Sequence, residues 1–481
     1  MNFLILSLFA FLAASFCAWA GRGEKKILFS CVGVLAASVI GLLPAIGVLT
    51  GGLPLADGWK SEIPGLVLAF GIDGLTALFL TVIFFLSIVV AIYSIGYLKG
   101  QAPLQKYSPF FPLLVGAMAA VVTARDGFLF LICWEVMSLA SFFLVTVEHS
   151  SREVRHAGWV YLISTHLGTA FLAVFFILLQ NKAGSFLFAD FAGLPLSTPL
   201  AGFLFVLTVI GFGTKAGLFP LHVWLPHAHP AAASPISALM SGVMIMTGFY
   251  GLLRALTFLG NPEPWWGGVL LIMGIFSAVF GILWAFLQDD IKRFLAYSSV
   301  ENSGIIAIAI GLGILGQALE NPAIAALGFA GGLLHFVNHA LFKGLLFLSA
   351  GGIIHSAHTR AMGRLGGLLQ KMPVTGGTFL VASLGACAFP VFNGFAGEWL
   401  IYLGLFRGGQ SFGHFPLFLS VAGIVAMAFA GGLALAAFSK TFGLVFLGNA
   451  RSKNAEAAHE IPWLMRLPLV ILAFGCLAIG S

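Results

Sequence analysis

The sequence carries very little charge. Only 8% of its 481 residues are Asp, Glu, Lys or Arg, whereas 60% are hydrophobic. Because soluble domains carry about 25% charged residues, this composition excludes a soluble globular protein. Apolar runs of about 20 residues recur along the whole chain instead, and such runs cross a bilayer as helices. The sequence therefore predicts an all-α protein that is integral to a membrane.

Cysteine is also scarce, and the few cysteines are scattered through apolar segments. None of them forms a CxxC pair, so the sequence offers no disulfide framework, zinc site or iron–sulfur site. We expect the cysteines to be packing residues, and we expect no cofactor and no metal. They are Cys17, Cys31, Cys133, Cys387 and Cys476.

The basic residues are distributed unevenly between the loops. We count about 14 apolar spans and assign the loops alternately, with the N-terminus outside. The outer loops then hold Lys60, Arg125, Lys182 and Arg407, and the inner loops hold Arg22, Lys25, Lys26, Lys99, Lys106, Arg152, Arg155, Lys292, Arg293, Arg360, Arg364, Lys371, Arg451, Lys453 and Arg466. Inner loops of membrane proteins are enriched in Lys and Arg, which favours this orientation. The net charge of +6 therefore needs no nucleic acid partner, whose binding requires a clustered basic face.

Two spans contain helix-breaking residues next to a charge. One reads GFGTKAGLFP from Gly211 to Pro220, and the other reads FPVFNGFAGE from Phe389 to Glu398. Proline removes an intrahelical hydrogen bond, and freed backbone groups at membrane depth must be buried or hydrated. Interrupted helices at matching places in two inverted halves indicate an ion site in transporter folds. The alternative is that glycine and proline are simply common in membrane helices.

The positions of these breaks predict the domain organisation. Each break lies near the fourth span of a five-span block, and an odd number of spans makes successive blocks inverted in the membrane. We therefore predict about 14 transmembrane helices with two inverted five-helix repeats that contain broken helices. The predicted segments are N-terminal helices in 1–108, a first repeat in 109–258, a second repeat in 266–446, and a loop with a final helix in 447–481.

Four ionisable residues lie inside otherwise apolar spans: Glu135, Lys215, Lys343 and Glu398. A charge at the bilayer centre costs roughly 2.5–3.5 kcal/mol on insertion scales, so buried charges in membrane helices indicate function. Two acids and two lysines in different helices predict a path for protons or other cations.

One of these charges, Lys343, belongs to a stripe of two histidines and a lysine. His335, His339 and Lys343 are four residues apart, or about 6 Å per step on a helix, and Asn338 lies beside them. Imidazole accepts and releases protons near neutral pH, and a lysine in a low dielectric can release its proton too. The spacing therefore predicts a proton wire. The alternatives are an HxxxH metal pair, which lacks a third ligand, and a packed, hydrogen-bonded pair of histidines.

Glu135 and Lys215 have opposite signs and lie in the same predicted repeat. If they approach each other, the acid favours the protonated lysine while burial disfavours it, so a change at the acid would eject the proton. The alternative is a static ion pair that fixes helix packing. Glu398 is the expected terminal site in the second repeat.

Further histidines are accessory candidates. His166, in YLISTHLGTA, either joins the path or bonds a neighbour. His222, His227 and His229 cluster in LHVWLPHAHPAAASP. We interpret this cluster as the solvated mouth of a channel, with metal binding as the alternative.

Several stretches of the chain resemble the antiporter-like subunits of respiratory complex I and of the Mrp cation/proton antiporters. They are CWEVMSLASFFLV, GTKAGLFPLHVWLP, SPISALMSGVMIMTGFYGLLR, DDIKRFLAYSSVENSGII, NHALFKGLLFLSAGGI and NGFAGEWLIY. Within that family, MSLASFFLV, AYSSVENSGII and NGFAGEWLIY are most similar to the hydrogenase-4 component B and formate hydrogenlyase subunit 3 branch.

This resemblance implies a 14-helix core, a prokaryotic inner membrane and a set of functional positions. Glu301, within AYSSVENSGII, is a further accessory candidate. The matched positions are Glu135 in the fifth helix, Lys215 in the first broken helix, Lys292 in the connecting DIKR motif, His335, His339 and Lys343 in the central helix, and Glu398 in the second broken helix.

The sequence departs from the family pattern at two positions. Many relatives carry a connecting lysine in the eighth helix, where this chain has Met246, and His227 stands where several relatives have an acid. The link between the two predicted half-channels must then run through Lys292 or the histidines, or be weakened.

Three functions follow from these residues and the resemblance. The first is a cofactor-free, proton-translocating subunit of a redox-driven complex, in which other subunits of a hydrogenase or complex I-like assembly carry out the electron transfer. The second is an Mrp-type sodium/proton antiporter subunit, although sodium prefers oxygen ligands and buried acids are few. The third is a non-pumping membrane anchor.

Overall fold

The computed structural model describes residues 1–60, 66–100, 107–411 and 413–480. Lys106, one of the basic residues assigned to the inner loops, lies outside the described residues. Contacts divide the chain into two compact units. Unit 1 is Met1–Ala216 with Val243–Gly260, and unit 2 is Gly217–Gly242 with Asn261–Ser481.

Unit 1 consists mainly of long apolar helices joined by short loops. Its helices are α1 (Asn2–Ala20), α2 (Glu24–Leu49), α3 (Gly74–Tyr97), α4 (Phe110–Thr123), α5 (Gly127–Val145), α6 (Arg152–Ala183), the short α7 (Phe188–Phe191), α8 (Thr198–Ala216) and, later in the chain, α11 (Met246–Leu256). An antiparallel hairpin of β1 (Leu55–Lys60) and β2 (Val67–Ile72) precedes α3. The sequence reasoning did not predict this hairpin.

Unit 2 is also helical. Its helices are α9 (Leu225–Ala231), α10 (Ser234–Leu239), α12 (Pro264–Phe286), α13 (Ile291–Ala318), α14 (Pro322–Ala357), α15 (Leu368–Lys371), α16 (Pro373–Ala386), α17 (Asn393–Ser411), α18 (His414–Phe446), α19 (Lys453–Ala457) and α20 (Trp463–Ala478). One π-helical turn, Met240–Met244, joins α10 to α11, so that Ser234–Leu256 forms one apolar helix.

The helices have the length and composition of membrane spans. Within the described residues, 11 helices are long and apolar enough to cross a bilayer. Three shorter apolar helices, α4, α16 and α20, accompany them. The all-α membrane fold is therefore confirmed, and the helices agree with the predicted count of about 14 spans.

Both predicted helix interruptions are present. The first follows Ala216, where Gly217 has φ +71° and the chain resumes as α9 at Leu225. The second separates α16 from α17, and Ala388 and Val391 there have φ 47° and 76°. Pro220 and Pro390 lie inside these breaks and cannot donate an intrahelical hydrogen bond. The charged residues Lys215 and Glu398 therefore lie close to broken helix ends.

Close helix contact positions the centre of unit 2. A Cβ atom added at Gly281 of α12 would lie 2.5 Å from the backbone nitrogen of Glu301 in α13, and one at Gly274 would lie 2.6 Å from the carbonyl oxygen of Gly304. Only glycine permits this backbone approach, which is a common way to pack membrane helices. As a result, Glu301 is held in the interior with 1% of its surface exposed.

An ion cluster lies at the start of α3 in unit 1. Asp73 caps the helix by accepting from the Thr76 backbone nitrogen at 2.9 Å, and its carboxylate also contacts Arg254 at 2.7 Å and Arg125 at 3.5 Å. Burial alone would raise the pKa of Asp73, but the coulombic effect of Arg254 and Arg125 outweighs it and lowers the pKa below its usual value. The cluster joins α3, the loop before α5 and the end of α11.

Candidate functional site

Lys215 lies at the end of α8 in a polar pocket made by α5 and α6. Its side chain is 2% exposed, and its Nζ donates to Ser138 Oγ at 3.0 Å and to Tyr161 Oη at 3.3 Å. The ammonium also lies 5.5 Å from the ring centre of Trp134. Hydroxyl acceptors and an aromatic face thus compensate the burial of this lysine.

Glu135 does not form a direct ion pair with Lys215 among the described residues. Its Oε2 lies 3.3 Å from His166 Nε2, and the His166 Nδ1 contacts the Leu162 carbonyl oxygen at 2.9 Å. The Glu135 side chain is 28% exposed and that of His166 is 48% exposed. Glu135 is nevertheless within range of a coulombic interaction with Lys215. The acid therefore acts on the lysine across a gap while bonding a histidine at the surface of unit 1.

Lys343 lies at the centre of unit 2 on α14. It is fully buried, and its Nζ donates to Ser298 Oγ of α13 at 2.5 Å. The adjacent turn of α13 carries Glu301, which is within coulombic range of both Lys343 and Glu398. Glu301, an accessory candidate in the sequence, is thus one of the central charges of unit 2.

A short hydrogen-bonded chain links Glu301 to the histidine stripe. The Asn302 Nδ2 donates to Glu301 Oε2 at 2.9 Å, and Asn302 Oδ1 lies 3.1 Å from His335 Nε2. The sequence reasoning missed Asn302, because an asparagine in an apolar helix gives no spacing signal. This amide bridges the acid and the imidazole.

The rest of the stripe is buried with unsatisfied polar atoms. His335, Asn338 and His339 have 1%, 0% and 0% exposure. Neither ring nitrogen of His339 has a hydrogen-bond partner within the described part of the chain. Asn338 donates to the Asn393 carbonyl oxygen at 2.6 Å, and Asn393 donates back to the Asn338 carbonyl oxygen at 3.1 Å. Because buried polar groups are normally hydrogen-bonded, His339 is an unusual group that suggests a functional role.

The second broken helix places Glu398 beside this stripe. A Cβ at Gly397 would lie 3.0 Å from His335 Cα, so α17 touches α14 there. Glu398 is 7% exposed. Cys387, in the break, is within coulombic range of Glu301, Glu398 and Lys343. The break therefore lies next to the central charges of unit 2.

Lys292 is buried at the start of α13, and its Nζ donates to the Ala232 carbonyl oxygen. His229, on the short helix α9, is fully buried, stacks on Phe347 and lies within coulombic range of Lys292 and Lys343. This differs from the expected solvated cluster, because α9 turns His229 into the interior. The proline-rich composition of this segment is typical of a solvent-exposed loop, so the burial of His229 was not predicted from the sequence.

The other two histidines of that cluster are less buried than His229. His222 is half-buried, with its ring centre 5.5 Å from that of Phe219, and His227 is exposed. Within the described residues no group of three or more His, Cys, Asp or Glu side chains is suited to a metal ion. His222 and His227 are therefore separated in exposure from the charges at the centre of unit 2.

Met246 is fully buried in α11 and supplies no titratable group. Its neighbour Thr247 donates to the Met244 carbonyl oxygen at 2.7 Å and contacts Met137 Sδ at 3.8 Å. Met246, where the resemblance leads us to expect a connecting lysine, is thus enclosed in unit 1.

Each unit therefore combines a buried lysine, a hydroxyl acceptor and an acid within coulombic range. Such groups can exchange protons when their charges or spacing change, because a shift at one alters the proton affinity of the next. The apolar helices are characteristic of an integral membrane protein, and each unit encloses titratable groups among them.

Comparison with protein families also identifies the chain as a membrane protein. The model of the transmembrane part of the NADH:quinone oxidoreductase/Mrp antiporter family matches residues 124–424. The model of the N-terminus of complex I chain 5 matches residues 65–111. The chain belongs to the NADH:quinone oxidoreductase/Mrp antiporter family.

Individual relatives extend this match over nearly the whole chain. The chain is 39% identical to hydrogenase-4 component B of Escherichia coli (strain K12), covering 99% of this chain and 71% of the relative. It is also 39% identical to formate hydrogenlyase subunit 3 of the same organism, covering 76% of this chain and 59% of the relative. The structure of the archaeal membrane-bound sulfane sulfur reductase complex matches with a TM-score of 0.83 at 25% identity, covering 98% of this chain and 75% of that one.

Proposed function

We propose that the protein is a proton-translocating, antiporter-like membrane subunit of a redox-driven complex of the hydrogenase-4, formate hydrogenlyase or complex I type. The relatives named hydrogenase-4 component B and formate hydrogenlyase subunit 3 support this class of complex. The chain supplies the path for protons, and partner subunits supply the electron transfer.

The observation that carries the proposal is the set of charges at the centre of unit 2. Lys343 bonds Ser298 and is within coulombic range of Glu301, which connects through Asn302 to His335. A proton that arrives at His335 changes the charge near Glu301 and Lys343. Lys343 then releases its own proton more readily, because the positive charges on His335 and Lys343 repel each other strongly in a low dielectric. Glu398 is the proposed terminal site.

Unit 1 provides the corresponding switch. Partner redox chemistry would change the charge or position of Glu135, which sits with His166 at the surface of the unit. Loss of the acid's charge removes the interaction that favours protonated Lys215. The lysine then passes its proton on, with Ser138 and Tyr161 as the neighbouring hydroxyl groups.

Lys292 and the histidines are the proposed connecting groups, since Met246 carries no proton. Lys292 and His229 are within coulombic range of each other, and His229 is also within range of Lys343. We propose further that residues 109–258 and 266–446 are two inverted repeats, and that the N-terminus faces the outside of a prokaryotic inner membrane.

Partner subunits are the proposed neighbours of the α5 and α6 surface. The side chains of Glu135 and His166 are 28% and 48% exposed on membrane-spanning helices. Contact of these ionisable groups with lipid would cost free energy. A neighbouring subunit with a polar surface would cover the pair and transmit its redox state to Glu135.

The test is Lys215→Met in the native assembly, reconstituted into proteoliposomes. We expect proton translocation to be abolished while partner redox turnover persists, because methionine keeps the bulk and loses the proton. Normal proton translocation by the assembly that carries this variant would contradict the mechanism, and would indicate that another subunit moves the protons and that this chain is an anchor.

A second candidate function is sodium/proton antiport. It is favoured by the buried Asn338 Oδ1 and Asn393 Oδ1, which have no hydrogen-bond partner among the described residues. Amide and carboxylate oxygens are the ligand type that hard cations prefer. Proton movement in proteoliposomes with and without sodium separates the two functions. A sodium requirement in the absence of redox substrate would support antiport.

A further inference from the structure

An apolar groove runs along the outside of unit 1 between α1, α4 and α5. It has two adjoining parts, of about 230 Å³ and about 700 Å³, which share Leu12 and Leu113. Phe16 and Trp19 line its wider part and are 65% and 68% exposed. Phe70, from β2, lines the narrower part.

The groove has the length of one bilayer leaflet. Along α1 its lining runs from Leu8 to Trp19, and along α4 it runs from Pro109 to Ala120. At 1.5 Å per helical residue each wall is about 16 Å long. One leaflet contributes about 15 Å to the hydrocarbon thickness of a bilayer. An acyl chain that enters at Trp19 would therefore fit along the length of the groove.

One end of the groove is basic, and the remainder is apolar. Lys26 is the one charged side chain that lines it among the described residues, and it has no carboxylate partner there. Arg22 lies in the short connection before α2, and Glu24 and Lys25 lie with Lys26 in the first turn of α2. The Ser15 hydroxyl in the wall is already satisfied, because it donates to the Pro109 carbonyl oxygen at 2.7 Å.

We propose that this groove binds one acyl chain of a phospholipid whose anionic headgroup lies against Lys26. Trp19 lies at the same end, and tryptophan favours the headgroup level of a membrane. A basic residue near the surface attracts anionic lipid, whereas the apolar wall selects a hydrocarbon chain. A helix of a partner subunit would leave the Lys26 charge without an anion. This site is separate from the proton path and stands independently of the proposed function.

The experiment uses photoactivatable phosphatidylglycerol and phosphatidylcholine probes with the purified full-length protein in nanodiscs. Labelled positions are mapped by peptide mass spectrometry. We expect phosphatidylglycerol to label the α1 and α4 peptides, and Lys26→Gln to lower its preference over phosphatidylcholine by about fivefold. Lys25→Gln is the matched control, since Lys25 does not line the groove.

Filling the groove tests its apolar part. Val136→Phe and Ala120→Phe project a ring into the groove from α5 and α4, and each should remove labelling by both lipids. Ile132→Phe, on the exposed face of α5, should leave labelling unchanged. Melting temperature and size-exclusion profile establish that each variant folds. Undiminished labelling in folded Val136→Phe and Ala120→Phe, or no headgroup preference in the wild type, would overturn the proposal. So would loss of labelling when the native partner subunits are bound.

Discussion

The two buried lysines differ in what surrounds them. Lys215 in unit 1 contacts two hydroxyl groups and aromatic rings, and its acid, Glu135, is 28% exposed and bonded to His166. Lys343 in unit 2 contacts one hydroxyl group and lies 5.9 Å from the ring centre of Phe438, and the acid within its coulombic range, Glu301, is 1% exposed.

This difference indicates a division of labour. An acid at the surface of a unit can sense a neighbouring subunit, because its charge is accessible to changes outside. An enclosed acid between a lysine and an asparagine is shielded from solvent and responds to the buried groups around it. Unit 1 is therefore suited to receiving a signal, and unit 2 is suited to relaying protons.

The largest effect among the variants that test this comparison is expected for Glu301→Gln. Glutamine can still accept the Asn302 hydrogen bond, but it cannot carry the charge that Lys343 faces. We expect proton translocation to fall at least about tenfold, since proton-transfer groups typically contribute a factor of this size or more. The measurement is proton uptake per redox turnover in proteoliposomes.

The control is Glu148→Gln, in an exposed loop after α5. This substitution should leave proton uptake per redox turnover unchanged. If Glu301→Gln pumps as well as this control, the enclosed acid has no part in the relay and the contrast between the units is lost.

A smaller effect is expected for His166→Gln in unit 1. The histidine holds Glu135 at 3.3 Å, but both side chains are partly exposed, so solvent or a partner can compensate. We expect proton uptake to fall about threefold, in line with the modest energy of exposed ion pairs. His149→Gln, in an exposed loop, is the matched control.

A double-mutant cycle with Glu135→Gln measures whether the pair acts together. We expect the loss of proton uptake in the double mutant to be smaller than the sum of the losses in the two single mutants. Strict additivity would show that His166 does not act through Glu135.

The smallest effect is expected at the Asp73 cluster and concerns stability. Asp73→Asn removes the charge that Arg254 and Arg125 contact, and should cost about 1 kcal/mol because the carboxylate is 36% exposed. The pKa of Asp73 is lowered in the folded protein. Its contribution is therefore fully present above the unfolded pKa of about 3.9 and is lost as pH falls through the lower folded value.

The check is the difference in melting temperature between wild type and Asp73→Asn across pH. The difference should be constant between about pH 5 and 7 and should shrink below about pH 4. A difference that grows on acidification would contradict the assigned charge cluster.

The sequence reasoning predicted the fold better than the site. The spans follow from hydrophobic length, and the breaks near Lys215 and Glu398 follow from glycine and proline next to a charge. The role of Glu301 rested on resemblance alone, since its position in a helix gives no sign of which charges it faces. The burial of His229 was not predicted, because α9 is too short for its apolar residues to show helical periodicity.

The contact between Glu135 and His166 was likewise open in the sequence. The two residues are on different helices, and only the packing of α5 against α6 brings them within 3.3 Å. Local patterns predict which residues are costly in a membrane, whereas tertiary packing decides which of them meet.

The most direct test of the central claim is the proton-to-electron ratio of the native assembly carrying Lys343→Met, compared with Lys440→Met. Lys440 is partly buried in α18 and donates to the Phe286 carbonyl oxygen at 2.8 Å, so it controls for loss of a lysine in unit 2. We expect Lys343→Met to reduce this ratio to near zero while electron transfer continues, and Lys440→Met to leave the ratio unchanged. An unchanged ratio in Lys343→Met would contradict the claim that protons pass through this lysine.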